Sequence, residues 1–396
     1  MQLDHFESFV VGNPNPGQGG RYFIFVKLTT ACGITGYGEI YNASFGPHLV
    51  ADMAREVFED ELVGMDPFQI EKIWRRLYSR GFSQRPDITL MGVMSGLEIA
   101  LWDIIGKATD KPVHQLLGGR LHERLRSYSY LYPPEGVDAA AFYADPDASA
   151  EVAARYVKEG FTAVKFDPAG AYTILDPHMP SMADIDRSEQ FLKRIRQAVG
   201  TKADLLFGTH GQFSVAGAKR MARMMEAYDP LWFEEPTPPE RPEMMAEVAR
   251  STQIPVATGE RLTTKYEFIR VLETGAASIL QMNLGRVGGI LEAKKIAGMA
   301  EGFYAHIAPH LYCGPLVAAA NIQLSATCPN FLILESIRQW GGFYTEILRQ
   351  PIDWEDGHVL VPDRPGIGYE LNEEVARANP YHGKTLHLGM TEEGRD

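Results

Sequence analysis

Six positions in the middle of the chain follow one another at nearly equal intervals, each the length of one strand-plus-helix unit. Five of the six carry polar side chains. They are Gly208, Glu234, Glu260, Asn283, His310 and Glu335, at successive intervals of 26, 26, 23, 27 and 25 residues. Glu234 directly ends an apolar run, LWFE. A carboxylate that ends a buried strand is costly to bury unless a cation or a hydrogen-bond donor meets it. Two such carboxylates on adjacent strands would converge on one hard cation.

Each of these residues also has an ordinary structural explanation when it is taken alone. A strand-end glutamate such as Glu234 more often caps a helix or pairs with a lysine than binds a metal. His310 alone would more often be a hydrogen-bonded structural histidine. Lys165, at another strand end, could reach solvent or pair with Asp167. It is the recurrence of all these groups at consecutive strand ends that favours a catalytic site.

The chain between these positions alternates short apolar runs with longer stretches of helical periodicity, which is typical of a parallel sheet with crossover helices. Leu192, Ile195 and Val199, for example, recur at helical spacing and indicate one sheet-facing stripe. So many successive units favour a barrel, whose active site lies at the C-terminal ends of its strands, over an open sheet. The predicted strands are FTAVKFD (161–167), DLLF (204–207), LWFE (231–234), IPVAT (254–258), ASILQMN (277–283), FYAHIA (303–308) and FLILE (331–335).

The beginning of the chain has a different pattern. The runs YFIFVKL (22–28) and GITGYGEI (33–40) predict a β-hairpin. The stretch MGVMSGLEIALWDIIGK (91–107) predicts a largely buried helix. Together they indicate an α+β unit that is distinct from the βα repeats.

We therefore predict three parts of the chain. Residues 1–125 form the α+β unit, residues 126–350 form the barrel, and residues 351–396 form a turn-rich segment that returns to the first unit. Residues 168–182 are a Pro- and Gly-containing insertion within the barrel. Long loops of this kind inside compact domains are usually functional or mobile.

Composition excludes several classes of protein. Among the 396 residues, 45% are hydrophobic and 22% are charged, and no apolar run approaches the length of a bilayer span, so we expect no membrane role. The N-terminus lacks the pattern of an export signal, which makes a cytoplasmic location the default. A net charge of −13 is opposite to what nucleic-acid binding requires. The three cysteines, Cys32, Cys313 and Cys328, match neither a disulfide framework nor a metal site and are predicted to be buried thiols.

Taken in order, a series of motifs resembles the mandelate racemase branch of the enolase superfamily over nearly the whole chain. The motifs are GLEIALWDIIGKATDKPVHQLLGG, WFEEP, TGE, LQMNLGRVGGILEAKKIA, APHLYCGP, LILESI and VPDRPGIGYEL. The resemblance implies an α/β fold, a (β/α)₇β modified TIM barrel with an N-terminal α+β capping domain. It also implies that specificity residues lie on the loops near 11–20 and 80–88.

The resemblance implies a role for each strand-end residue in abstracting the proton next to a carboxylate. Glu234 and Glu260 match two of the family's three Mg²⁺ ligands. Lys165 matches a lysine near the substrate carboxylate, and Glu335 matches the acid that hydrogen-bonds the enediolate. His310 matches the general base on the seventh strand. A metal together with cationic or hydrogen-bonding groups is what such weakly acidic protons require.

The sequence departs from the family pattern at three places. Asp167 replaces the second lysine of the KxK motif, which argues against racemisation with two bases. Gly208 stands where the first metal ligand is normally an aspartate, so that His210 is either a substitute ligand or the acid that protonates a departing β-hydroxyl. The match of the His-Gly pair to galactonate-type dehydratases favours the acid. Asn283 replaces the aspartate that orients His310, and it stabilises the imidazolium less.

These residues together predict a Mg²⁺-dependent dehydratase of a sugar acid, an aldonate or an aldarate. The first alternative is a cycloisomerase or epimerase of a sugar lactone or acid, and the second is a barrel that binds sugar acids without catalysis. The expected partner is a small-molecule sugar acid or lactone, without nucleic acid or membrane. A homo-oligomer is expected by resemblance.

Overall fold

The chain begins with an antiparallel sheet covered by helices. In the computed structural model, which describes residues 1–42, 44–82, 86–390 and 392, strand β1 (Leu3–Gly12) pairs with β2 (Tyr22–Thr30), which pairs with β3 (Thr35–Ile40). The antiparallel pairing of β2 with β3 confirms the predicted hairpin. The helices of this unit, the cap, are α1 (Pro47–Glu61), α2 (Ile70–Tyr78), α3 (Ile88–Thr109) and α4 (Val113–Leu116).

Helix α3 is the central helix of the cap. It begins after Asp87, whose carboxylate accepts hydrogen bonds from the backbone N–H groups of Thr89 and Leu90, and it ends at Asp110 in a left-handed conformation. By length and composition it could cross a membrane, but 83% of its most apolar window is buried inside the protein. Its hydrophobic residues are therefore explained by packing in the core.

A closed barrel of eight parallel strands follows the cap. Strand β4 pairs with β5, and the order then follows the chain to β10, while β11 pairs with β4. A parallel bridge between Ile307 and Phe331 closes the ring between β10 and β11. The strands are β4 (Arg124–Tyr130), β5 (Ala163–Phe166), β6 (Asp204–Phe207), β7 (Trp232–Glu234), β8 (Val256–Thr258), β9 (Ile279–Leu280), β10 (His306–Ile307) and β11 (Leu334–Ser336).

Each of the seven connections between these strands contains at least one helix, so the barrel is of the (β/α)₇β type that was predicted. All seven predicted apolar runs contain or overlap a strand. The helices are α5 (Ala139–Ala144), α6 (Pro146–Lys158), α7 (Met182–Val199), α8 (Val215–Met225), α9 (Pro242–Ala249), α10 (Thr264–Thr274), α11 (Ile290–Gly302) and α12 (Pro315–Ser325).

Side chains fill the interior of the barrel below the strand ends. Each strand or the residue next to it contributes one member of a buried cluster, and small members alternate with large ones in part of the ring. Such a layer makes the interior a packed core rather than a pore. The members are Tyr128, Ala163, Leu206, Trp232, Ala257, Ile279, Ala308 and Ile333.

Two buried glutamates of the cap hold helices of the barrel. Glu39 on β3 accepts hydrogen bonds from the backbone N–H groups of Leu316 and Val317 at 3.1 and 3.0 Å, at the start of α12. Glu98 on α3 accepts from the N–H groups of Ile290 and Leu291, at the start of α11, at 2.7 and 2.9 Å. Carboxylates satisfy the free N–H groups at helix N-termini and interact favourably with the helix dipole. These contacts fix the cap on the barrel.

The segment after the barrel contacts both units. After α13 (Phe343–Glu346), strands β12 (Trp354–Glu355) and β13 (His358–Leu360) form a hairpin, and β13 pairs antiparallel with β4 of the barrel. Helix α14 (Glu373–Ala378) lies against the cap, where Glu373 pairs with Lys27 at 2.6 Å.

The residues after α14 continue along the cap to His387. Its ring is buried between Tyr22 and Tyr41, with ring centroids 5.3 and 5.4 Å away, and its Nε2 lies 2.8 Å from the backbone oxygen of Tyr312. A side chain at Gly20 would overlap the His387 ring. The loop at Gly20 can therefore pack on His387 only because glycine occupies that position.

The three cysteines are free thiols. Cys313 and Cys328 are buried as predicted, whereas Cys32 is exposed. The prediction for Cys32 was wrong because this residue lies in the turn between β2 and β3, outside the packed face of the sheet.

Candidate active site and metal centre

Strand β5 directs two polar side chains into the mouth of the barrel. Successive residues of a strand face opposite sides, so that Lys165 and Asp167 follow Ala163 on the inward face. On the neighbouring strand, a Cβ atom at Gly208 would come within 3.2 Å of the Lys165 Cε atom. The glycine thus leaves space for the lysine chain to cross the barrel.

Lys165 is the centre of a buried ion-pair cluster. Its side chain is 2% exposed, and its Nζ lies 2.6 Å from Glu234 Oε1 and 3.7 Å from Glu335 Oε1. Burial alone would lower the pKa of Lys165, but the two carboxylates outweigh burial and raise it above its ordinary value. Lys165 is therefore a fixed cation at the barrel mouth.

Glu234 ends β7 and is held by three donors. Lys165 donates to its Oε1, while the Trp232 indole N–H and the Gln281 amide donate to its Oε2 at 3.0 and 2.8 Å. Trp232 lies two residues earlier on the same strand, so its ring supports the carboxylate from the layer below. These bonds set the orientation of Glu234.

Glu260 follows β8 and lies between two histidines. Its Oε2 is 3.2 Å from His210 Nε2, and its Oε1 is 3.5 Å from His310 Nε2. Tyr41 of the cap donates a longer hydrogen bond to Oε1 at 3.4 Å. Burial would raise the pKa of Glu260, but the positive charges of His210 and Arg286 hold it below its ordinary value. Its Oε2 is buried and, apart from the ion pair with His210, has no polar partner in the described part of the chain.

His210 lies between Glu260 and the insertion after β5. Its Nδ1 lies 2.6 Å from the Tyr172 hydroxyl and 3.7 Å from Asp167 Oδ2, while its Nε2 faces Glu260. Burial would lower the pKa of His210, but Glu260 and Asp167 raise it to about 10. Burial in turn raises the pKa of Asp167, against the effect of His210.

His310 lies on the other side of Glu260 from His210. Its Nδ1 is 2.9 Å from the amide nitrogen of Asn283, and its Nε2 is 4.0 Å from Glu335 Oε2. Burial lowers the pKa of His310 to about 3, against the attraction of Glu260. The imidazole is therefore neutral at neutral pH.

Glu335 completes the cluster at the end of β11. Its Oε2 accepts a hydrogen bond of 2.7 Å from the backbone N–H of Leu311. Burial raises the pKa of Glu335 to about 7, against the effect of Lys165. A carboxyl that is partly protonated at neutral pH can donate a hydrogen bond to an oxyanion.

The chemistry of three of these side chains fits a divalent metal ion. One ligand atom from each of His210, Glu234 and Glu260 can be chosen so that all three lie within 4.8 Å of one another. The Oε2 of Glu260 is the atom nearest to His210 in this group, and Gly208 adds no ligand. Two carboxylates suit a hard cation such as Mg²⁺, while an imidazole suits a transition metal better.

The structure thus brings all eight predicted side chains to one barrel mouth: Lys165, Asp167, His210, Glu234, Glu260, Asn283, His310 and Glu335. Sequence reasoning missed Tyr172 and Gln281, which touch His210 and Glu234. The position of Tyr172 within the insertion was the available signal. Of the loops predicted to choose the substrate, residues 13–18 line a cavity of about 230 Å³ together with residues 341–346, whereas residues 83–85 lie outside the described residues.

A (β/α)₇β barrel with a buried lysine and acidic residues at its strand ends, covered by an α+β cap, defines an enzyme of the enolase superfamily. The family model for the N-terminal domain of mandelate racemase / muconate lactonizing enzyme matches residues 18–118, and the model for the enolase C-terminal domain-like region matches residues 148–375. The chain belongs to the mandelate racemase / muconate lactonizing enzyme family.

Relatives with named activities cover most of the chain. A D-xylonate dehydratase from Haloferax volcanii is 32% identical over 93% of this chain and 88% of its own length. A D-galactonate dehydratase from Ralstonia nicotianae is 34% identical over 89% of this chain and 90% of its own. Among solved structures, a candidate mandelate racemase/muconate lactonizing enzyme from Labrenzia alexandrii is 69% identical with a TM-score of 0.96, covering 99% of this chain and all of that one.

Proposed function

We propose that the chain is a cytoplasmic, divalent-metal-dependent hydro-lyase that removes water from a sugar acid, an aldonate or an aldarate. The observation that carries the proposal is the convergence of Glu234, Glu260 and His210 beside the buried cation Lys165. Relatives named as sugar-acid dehydratases, which align with about nine-tenths of the chain, supply the substrate class.

A basic side chain takes the α-proton of the acid, and the hydroxyl group of the next carbon leaves in a separate step, so that the elements of one water molecule are lost overall. The remaining enol becomes a 2-keto-3-deoxy acid. A metal bound at this site would act as a Lewis acid that stabilises the negative charge on the substrate carboxylate. Lys165 places a positive charge beside the same oxygens, and Glu335 donates a hydrogen bond to them as charge develops.

We assign His210 as the third metal ligand rather than as the acid for the leaving hydroxyl. Its Nε2 is the atom that faces Glu260, and its Nδ1 is occupied by Tyr172. Metal-binding histidines commonly use their second nitrogen in this way to fix the ring. The acid role, which the sequence favoured, remains the alternative.

Two groups are placed to move the α-proton. His310 is the base predicted from the sequence, and its Nε2 faces Glu260 and Glu335. Asp167 lies across the cluster, beside His210. The hydrogen bonds around His310 bear on the choice between the two.

The proposal is tested with D-galactonate, D-gluconate and D-xylonate in deuterated buffer with Mg²⁺ or Mn²⁺, followed by NMR. A dehydratase yields a 2-keto-3-deoxy acid with deuterium at the new methylene carbon, and chelation abolishes turnover. A product that has lost no water and carries deuterium at the α-carbon would establish the cycloisomerase or epimerase alternative. Binding of an acid without product and without α-proton exchange would establish the binding barrel.

A further inference from the structure

The side-chain amide of Asn283 has a fixed orientation. Its Oδ1 accepts a hydrogen bond of 2.9 Å from the backbone N–H of Gly285. Rotating the amide by half a turn would point its NH₂ group at this N–H, placing two donors against each other in a fully buried position. The backbone therefore determines which atom of Asn283 faces His310.

That atom is Nδ2, which can only donate. It lies 2.9 Å from His310 Nδ1, so Nδ1 must accept and cannot carry a hydrogen. On the other edge of the ring, Nε2 is closest to two carboxylate oxygens, at 3.5 Å in Glu260 and 4.0 Å in Glu335. Acceptors on that edge favour a nitrogen that carries a proton.

We infer that Asn283 holds His310 as the neutral tautomer with its proton on Nε2, so that His310 donates a hydrogen bond to the substrate instead of taking its α-proton. An aspartate at position 283 would do the reverse, because it would accept a hydrogen from Nδ1 and leave a lone pair on Nε2. Asn283 is thus a positioning residue that changes the role of the histidine. A neutral imidazole is a known electrophilic donor to substrate oxygens in other enzymes.

The α-proton must then leave to another group, and we assign it to Asp167. This carboxyl directly follows β5, two residues after Lys165, and its Oδ1 is buried without a hydrogen-bond partner in the described chain. In the step, the bond between Cα and hydrogen breaks, an O–H bond forms at Asp167, and the electron pair moves into the carboxylate as an enediolate. His310 Nε2–H stabilises the developing negative charge by a hydrogen bond.

The tautomer is measured directly and without substrate. Long-range ¹H–¹⁵N correlation spectra of the full chain labelled with ¹⁵N-histidine distinguish Nε2–H from Nδ1–H, and comparison with His310→Gln assigns the signal. We expect the Nε2–H pattern in the wild type and the Nδ1–H pattern in Asn283→Asp. An Nδ1–H pattern in the wild type would overturn the inference, whether or not any variant folds.

The second test follows exchange of the α-proton with deuterium on whichever of D-galactonate, D-gluconate and D-xylonate turns over. We expect His310→Gln to retain exchange within about 10-fold while water loss falls by about 10²–10³-fold, as when one oxyanion donor is removed. Asp167→Asn should lose exchange. Loss of exchange in His310→Gln with retention in Asp167→Asn would return the role of base to His310.

The variant Asn283→Asp gives a further readout that a merely structural role would not produce. With a lone pair on Nε2, it should begin to exchange the α-proton of the C2 epimer, which the wild type leaves untouched. The assignment of Asp167 rests on the proposed dehydration, whereas the tautomer does not. If none of the three acids reacts, the proposed substrate class fails while the spectra still decide the tautomer.

Discussion

The cap–barrel contact and the barrel mouth both contain deeply buried glutamates, but these differ in what surrounds their oxygens. At the contact, both oxygens of Glu39 and of Glu98 accept hydrogen bonds from donors that belong to helix N-termini or to the same helix. At the mouth, Glu260 lies between two histidines, and Glu234 faces a lysine. The first pair is satisfied within the fold, and the second pair is arranged for something that binds.

Burial of a carboxylate is therefore not by itself a mark of function. Exposed fractions of 0 and 4% for Glu39 and Glu98 are similar to those of 1 and 5% for Glu234 and Glu260. The distinguishing feature is convergence with other titratable groups: Glu234 and Glu260 face lysine and histidine side chains, whereas Glu39 and Glu98 accept from backbone N–H groups at helix N-termini.

The largest expected effect is on turnover. Glu260→Gln should lower kcat by about 10²-fold or more, because it removes a formal charge from the metal site. The matched variant Glu39→Gln makes the same chemical change at the cap–barrel contact and should keep most of the activity. Steady-state kinetics of the two variants at saturating metal test the comparison. Equal losses in both would show that the two classes of glutamate do not differ in function.

The next effect concerns the metal. His210→Ala should weaken metal binding by about 10²-fold, on the scale of losses at metal sites, and added metal should restore part of the activity. The wild type should also bind Mn²⁺ better than Mg²⁺, because imidazole suits transition metals. Calorimetric titration with each metal measures both.

A different pattern would make His210 the acid. In that case His210→Ala would bind metal normally and keep α-proton exchange, while water loss would fall by about 10²–10⁴-fold. Tyr172→Phe is the milder control, since it leaves the imidazole in place but removes the hydroxyl at its Nδ1. A ligand role predicts a loss of about 10–100-fold in metal affinity for this variant.

For stability, the order of the two variants should be reversed, so that Glu39→Gln loses more than Glu260→Gln. Glu39→Gln should reduce the free energy of unfolding by about 1–3 kcal/mol, because its amide cannot accept from N–H groups with both of its ends. Glu260→Gln should reduce it by less, since the hydrogen bond that Glu260 accepts from Tyr41 is long, at 3.4 Å. Urea denaturation at pH 8, above the raised pKa of about 7 of Glu39, followed by circular dichroism compares the two. A larger loss for Glu260→Gln would contradict the assignment of Glu39 to structure.

The smallest effect is a difference in pH dependence. Burial raises the pKa of Glu39 and of Glu98 to about 7, above the ordinary value of 4.5. Between these two values the folded chain holds protons that the unfolded chain releases, so the free energy of unfolding falls as the pH rises from about 4.5 to about 7. The double variant Glu39→Gln/Glu98→Gln should show a shallower fall in denaturation midpoints over this range. If the denaturation midpoints of the double variant fell with pH as steeply as those of the wild type, both pKa values would be near 4.5.

The sequence predicts the barrel well because most of its strands are buried on both faces and are therefore continuously apolar. The DLLF run coincides with β6. The sequence does not predict β4, because its residues RLRSYSY mix polar side chains with apolar ones. Arg124 is exposed, while Ser127 is buried and donates a hydrogen bond to the backbone oxygen of Gly357. Tertiary hydrogen bonds of this kind cannot be read from periodicity.

The candidate site could be predicted as a set of residues but not as a set of contacts. Strand-end spacing identifies Glu234 and Glu260, because one βα unit returns the chain to the same edge of the barrel. Spacing carries no information on which atom of Asn283 faces His310, since that depends on the N–H of Gly285. The partnership of Tyr172 with His210 likewise depends on the path of an irregular loop.

The return of residues 373–387 to the cap also has a consequence for biosynthesis. A ribosome makes β1–β3 first and the whole barrel next, and only then the residues that place Glu373 against Lys27 and His387 beneath Gly20. A nascent chain that has reached residue 350 already contains every candidate catalytic residue. It still lacks the His387 ring that packs on Tyr41, the cap residue that touches Glu260. The wall of the barrel mouth is thus completed only after the whole barrel has been made.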